Sequence, residues 1–178
     1  FQGISKKNNL GNVKLHNLGL GDHSTEMVLY SSHKDTGSTS LQKTPQHDAE
    51  YKVKISTLDE EIPQSAGTKF DFIKVDIQGY DLVALNGGRE LIKRDLPDIL
   101  IEYGPKEINI DREKLLELFI FLAAYEYDPW LFRAHDFSSL EPLNFEILTS
   151  LFDFYKKRQF KGHFNIMFMS RLRPQRKD

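Results

Sequence analysis

An α/β fold built on a mainly parallel sheet is predicted by three features of this sequence. Residues 70–81 place a nearly continuous apolar run (Phe70, Phe72, Ile73, Val75, Ile77) directly before a polar cluster of Asp76, Gln78, Gly79 and Asp81. A fully buried strand that ends in carboxylate and amide groups is how an open α/β sheet presents a site, because ligands sit beyond the carboxyl ends of its strands. Strand-like, helix-like and strand-like stretches then follow one another between Asp71 and Tyr103. That is a βαβ unit, which requires parallel strands and a crossover. Finally, 178 residues with 39% hydrophobic and 28% charged side chains describe a globular chain. It is long enough for one domain with a real core and short for two.

The elements follow in order. The chain begins with Phe1 and shows no signal-peptide pattern. Phe1-Gln2-Gly3 reads either as a tag remnant or as mid-domain sequence. Residues 4–11 are polar and end in a glycine, as a helix tail or a loop does. Residues 12–18, with apolar Val13, Leu15 and Leu18, predict a strand closed by the turn Gly19-Leu20-Gly21-Asp22. Asp22 reads either as a turn carboxylate capping backbone amides or as a ligand contact at the strand end. Residues 25–31 form a short strand. Residues 32–50 are a long loop rich in Ser, Thr, Gly, Asp, His and Lys, and loops of that length are usually functional or mobile. His33 and His47 within it have no partner at metal-ligand spacing and read as solvated. Residues 51–55 alternate, with Lys52 and Lys54 marking a strand near an edge. Ser56 or Thr57 then caps a short helix whose first turn holds Asp59, Glu60 and Glu61. Pro63 and Gly67 limit its length.

The central strand spans residues 71–76. A helix over 80–85 is broken at Asn86-Gly87-Gly88 and resumes over 89–94. Pro97 sets up a strand over 98–103 with Glu102 near its end. Residues 111–125 form the clearest helix, with Leu115, Leu118, Phe119 and Leu122 on one face. A strand at 130–132, a helix at 144–155 and a last strand at 163–169 complete the core. Residues 171–178 are a basic tail that reads as a solvated terminus. The formal net charge of −2 gives no argument for nucleic-acid or membrane binding. No apolar run approaches the ~20 residues of a membrane span.

Adjacent parallel strands, about 5 Å apart, put Asp76 with Gln78 and Glu102 side by side. Such a group can position a hydroxyl, accept its proton or bind a cation. Gln78 and Asp81 read equally as caps of the following helix. A carboxylate such as Asp76, flanked by Val75 and Ile77, needs a partner if it is buried. Gly79 lets the backbone turn sharply from strand into helix. The absence of cysteine excludes disulfides, thiolate metal sites and cysteine nucleophiles. There is no Gly-x-Ser-x-Gly elbow, no phosphate-binding Gly-x-x-x-x-Gly-Lys loop and no His-Glu-x-x-His. Gly19-x-Gly21 lacks the third glycine of a dinucleotide fingerprint.

Four segments carry a family resemblance: residues 12–22, Ser56-Thr57-Leu58-Asp59, residues 71–81 with the pattern Lys-x-Asp-x-Gln-Gly, and residues 97–102. In order and spacing, over roughly residues 8–103, they resemble the FkbM-type family of S-adenosylmethionine-dependent methyltransferases. The Lys-x-Asp-x-Gln-Gly segment, followed by Leu82, Leu85, Asn86 and Gly87, is the most specific part. The resemblance implies a class I methyltransferase (Rossmann-like) sheet in strand order 3-2-1-4-5-7-6, a mixed sheet with its last strand antiparallel. Residues 12–18, 71–76 and 98–103 would be its third, fourth and fifth strands, and residues 130–132 and 163–169 its final pair. Residues 27–30 and 51–55 would belong to an insertion. Asp22 matches the position near the cofactor's adenine, Asp76 and Gln78 the end of the fourth strand, and Glu102 the end of the fifth.

The glycine-rich loop and acidic residue that hold the rest of S-adenosylmethionine in this family have no counterpart before Asn12. The expectation is therefore a single partial domain over residues 1–178, incomplete and lacking the first two strands, that binds the cofactor poorly by itself. Its third strand should then be loosely packed, misplaced or paired with another chain. In the full-length protein the implied reaction is methyl transfer to a hydroxyl of a small molecule or glycan. Asp76, Gln78 and Glu102 would be the catalytic residues, with no metal, no nucleic-acid partner and a cytoplasmic location. The residues alone also allow a non-catalytic binding or scaffold module on the same fold, or a phosphate-ester enzyme using Asp76 and Glu102 for a cation. The acceptor and the oligomeric state are not encoded legibly.

Overall fold

The computed structural model describes residues 11–32, 45, 48–63, 67–77, 79–104, 110–132, 140–158 and 164–173. Among them are two sheets and five helices. The smaller sheet has the order β1-β3-β2 and the larger β4-β5-β8-β6-β7. The strands are β1 (Gly19–Leu20), β2 (Thr25–Ser31), β3 (Ala49–Ser56), β4 (Phe72–Val75), β5 (Asp98–Tyr103), β6 (Tyr127–Phe132), β7 (Leu140–Pro142) and β8 (Phe164–Ser170). The helices are α1 (Leu58–Glu61), α2 (Asp81–Asn86), α3 (Arg89–Asp95), α4 (Arg112–Ala124) and α5 (Phe145–Arg158).

The larger sheet grows from the βαβ unit. β4 and β5 pair in parallel, from Phe72 opposite Asp98 to Val75 opposite Ile101. β8 lies between β5 and β6 and is antiparallel to both, so β5 and β6 run the same way. One face of this sheet is closed by helices. Ile99, Ile101 and Tyr103 alternate inward along β5, with Ile166 and Phe168 beside them on β8, all at most 1% exposed. Leu115, Leu118, Phe119 and Leu122 of α4 supply the opposing apolar stripe. Phe119 meets Phe145 of α5 at 5.1 Å between ring centres, and Phe145 stacks on Phe168 at 6.1 Å, so three elements share one aromatic cluster. Buried hydroxyls are satisfied: Tyr103 donates to the Leu148 carbonyl at 3.0 Å and Tyr127 to the Pro97 carbonyl at 2.8 Å. Three helix starts are capped by their own N-terminal side chains. The Asp111 side chain accepts from the Lys114 amide, Asn144 from that of Ile147, and Thr57 from that of Glu60.

The small sheet is a β2–β3 hairpin, from Thr25 opposite Ile55 to Ser31 opposite Ala49. β1 runs parallel to its last two residues only, with Gly19 opposite Ile55 and Leu20 opposite Ser56. It seats on the Asn86-Gly87-Gly88 break. A side chain at Gly87 would lie 2.0 Å from the Gly21 carbonyl oxygen, and one at Gly88 would lie 2.8 Å from Leu58. Asp59 accepts from the amides of Glu90 at 3.1 Å and Leu91 at 2.8 Å. It therefore caps α3 from a neighbouring element, where Gly88 has no side chain to do so. Its position in the first turn of α1 does not reveal that role.

Several expectations change. Residues 12–18 are not a strand: Val13 and Leu15 are 42% and 50% exposed, and the segment has no sheet partner among the described residues. The strand is the two-residue β1 that follows it. β4 is not buried on both faces, because it is an edge strand with Phe72 48% exposed. β3 lies at the centre of its sheet in order, yet β1 covers so little of it that its lysines stay exposed. β6 begins at Tyr127, earlier than the 130–132 pattern suggests. β7 was not expected, since three residues ending in proline carry little strand signal and suit only an edge. The basic tail is anchored at its start. Arg173, only 15% exposed in its side chain, pairs with Asp98 and Asp71, and Arg171 lies 3.4 Å from Asp128. Residues 174–178 lie outside the described residues, as do residues 33–44 and 46–47 of the long loop with His33 and His47. The Asp48 amide closes the base of that loop on the Ser31 carbonyl at 3.0 Å.

Candidate functional site

The carboxyl ends of β4 and β5 present the first group. Val75 opposite Ile101 is the last paired register position, so Asp76 and Glu102 are the next residues on the two adjacent strands. Alternation puts Lys74 and Asp76 on the face opposite Val75, where the larger sheet is less covered. Asp76 is exposed and accepts from Lys74 Nζ at 2.9 Å. That hydrogen bond is the main reason the Lys74 ammonium is held above its ordinary value, with smaller contributions from Glu102 and Asp81. Lys74 thus stays charged among three carboxylates. Gln78 lies outside the described residues. Glu102 is half-buried, opposite Asn165 of β8 in the register.

Asp81 sits behind these groups. It does not cap α2, whose cap position is Tyr80 and which has no side-chain cap. Its carboxylate turns back and accepts from the Gly79 amide at 3.2 Å. Gly79 has φ of 88°, a left-handed conformation suited to glycine. Asp81 is 2% exposed, and burial raises its pKa despite nearby amides, including those of Gly79, Glu102 and Ile77.

The second group surrounds Asp22, in the turn after β1. Its carboxylate accepts from Lys114 Nζ of α4 at 2.9 Å and is paired with His23 Nδ1 at 2.6 Å. Burial pulls the Asp22 pKa upward, but these two hydrogen bonds outweigh it and leave the group below its ordinary value. Asp22 and Lys114 line a cavity of about 210 Å³ with Leu20, Tyr80, Val83 and Ile110. Tyr80, whose hydroxyl is pushed up by burial, belongs to both regions: it lines the cavity and follows the Gly79 turn. Motif reading missed Lys74 and Lys114, and weighed Asp81 as a cap of α2, which it is not. Lys74 lies inside the Lys-x-Asp-x-Gln-Gly motif and was legible there. Lys114 had no local signal, since its partner is 92 positions away. Among the described residues no group of three or more His, Asp or Glu is arranged to hold a metal ion. No described helix is long and apolar enough to cross a membrane.

Fold and site together define an α/β protein with polar groups gathered at the ends of parallel strands. A sequence model of the Methyltransferase FkbM domain matches residues 3–129, and the chain belongs to that family. Among solved structures, the chain is similar to the crystal structure of Methyltransferase FkbM from Methylobacillus flagellatus KT, with 17% sequence identity and a TM-score of 0.49. The match covers 94% of this chain, which spans only 32% of that one. No curated protein sequence matches.

Proposed function

We propose that the full-length protein transfers a methyl group from S-adenosylmethionine to a hydroxyl oxygen of a small molecule or glycan. The observation that carries this reading is the placement of Asp76 and Glu102 at the ends of adjacent parallel strands, in a chain of the FkbM methyltransferase family. The order β4-β5-β8-β6, with β8 antiparallel, is consistent with the 4-5-7-6 half of a class I methyltransferase sheet. On that reading residues 1–178 are one partial domain. The first strand would pair with the open edge of β4, where Phe72 is exposed.

The cavity beside Asp22 suits one end of the cofactor. It offers a carboxylate 16% exposed in its side chain, able to accept from a hydroxyl or amino edge, against the apolar walls of Leu20, Val83 and Ile110. Its 210 Å³ is below the ~300–1,000 Å³ of pockets that enclose whole ligands. The sequence also supplies no glycine-rich loop for the amino-acid end. Residues 1–178 alone should therefore hold S-adenosylmethionine weakly. When bound, the cofactor supplies a methyl group already activated on a sulfonium.

What remains for the chain is positioning and proton transfer. Asp76 takes the proton of the acceptor hydroxyl on a carboxylate oxygen. Lys74 holds Asp76 by its Oδ2 and, remaining protonated, is not itself the base. Gln78 and Glu102 orient the acceptor, and the loop that the sequence places at residues 32–50 is the specificity element. Replacing Asp76 with Ala in the full-length enzyme should lower turnover by about 10²–10⁴-fold, the usual contribution of a general base. Unchanged turnover removes Asp76 from the mechanism.

A further inference from the structure

Asp81 is a buried carboxylate that the proposed chemistry does not use. One of its oxygens accepts from the Gly79 amide, and the other, Oδ1, has no hydrogen-bond partner among the described residues. A buried acceptor left without a donor costs free energy. An apolar residue of similar size would avoid that cost, so the position calls for a reason beyond packing. Its surroundings supply one. The carboxylate lies beneath the turn that joins β4 to α2, with its Oδ2 on the Gly79 amide of that turn. The turn follows Asp76 and leads into Tyr80, a wall of the cavity.

We infer that Asp81 is a positioning residue: it holds Gly79 in the turn between β4 and α2 and so sets where Asp76 and Tyr80, on either side of that turn, stand. The inference rests on the methyltransferase reading for its kinetic consequence and on geometry alone for its structural one. The left-handed Gly79 is the hinge. Its amide has the Asp81 carboxylate as partner, and losing that partner frees the turn without disturbing the apolar core. Asp81 acts through the backbone and does not touch the acceptor.

Amide hydrogen exchange and steady-state kinetics on the full-length protein test this with two variants, Asp81→Ala and Asp81→Asn. Asn keeps an acceptor oxygen for the Gly79 amide and Ala does not. The Gly79 amide should exchange at least tenfold faster in Asp81→Ala and stay within about threefold of wild type in Asp81→Asn. The core amides of Ile101 and Phe168 should keep their protection in both. In the kinetics, Asp81→Ala should raise the acceptor KM and lower kcat, each by at least fivefold, and Asp81→Asn should restore both. Two results overturn the inference: unchanged Gly79 exchange in Asp81→Ala, or loss of turnover in both variants with the Gly79 amide still protected. The second would place Asp81 on the substrate. If no variant, nor wild type, transfers methyl groups, the methyltransferase reading fails, and Gly79 exchange still decides the positioning role by itself.

Discussion

The two sheets are held by different kinds of contact. The larger sheet is bound to its helices by apolar burial, with Ile99, Phe168, Leu115 and Leu118 fully enclosed. The small sheet buries little of its own: within β3 only Ile55 and Ser56 are inside. It is joined to the body by close backbone approach and polar contacts. These are the Gly21–Gly87 contact and the Asp22–Lys114 pair. Burial over a wide face makes a framework that tolerates no local opening. Attachment by a few polar contacts makes an element that can shift. The proposed acceptor groups stand on the framework, and Asp22 stands on the element that can shift.

Substitutions can break or sharpen this contrast. Phe168→Ala should have the largest effect, a loss of about 3–5 kcal/mol, because it opens a cavity where β8, α4 and α5 meet. A thermal melt should show the whole fold weakened as one unit. Gly87→Ala should cost about 1–3 kcal/mol, since the new Cβ would stand 2.0 Å from the Gly21 carbonyl oxygen. Hydrogen exchange should then show faster exchange in β1 to β3 with β5 and β8 still protected. Equal loosening of both sheets would erase the distinction. Lys114→Ala should have the smallest effect, about 0–1 kcal/mol, because Lys114 is half exposed and screened by solvent. Its pH dependence is diagnostic. The folded-state pKa of Asp22 is lowered, so the stability it brings is present above the ordinary Asp value of 3.8 and is lost as pH falls through the folded value. The stability difference between wild type and Lys114→Ala should therefore be present at pH 7 and fade below about pH 4.

The framework was the more legible half. Continuous or alternating apolar runs report burial directly, so β5, β8, α4 and the β4–α2 unit follow from local pattern. The adjacency of Asp76 and Glu102 also follows, because parallel pairing of two consecutive strands leaves little choice of register. The small sheet was less legible for the same reason that it is loosely held. Val13 and Leu15 look like a strand, but no neighbouring strand among the described residues takes them up. Lys114, Asp59 and Arg173 act on partners far along the chain, and local patterns show only that they are charged. The role of Asp81 was hidden differently. An aspartate at the start of a helix looks like a cap, and only its burial and backward turn onto Gly79 separate the two.

Calorimetric titration with S-adenosylmethionine, run in parallel on the full-length protein and on residues 1–178, tests the central claim most directly. That claim is that this chain supplies the acceptor groups and one edge of the cofactor site, while the main grip on the cofactor lies elsewhere in the protein. Micromolar binding by the full-length protein and binding at least tenfold weaker by residues 1–178 is the expected result. Micromolar binding by residues 1–178 alone, or no binding by the full-length protein, would contradict it.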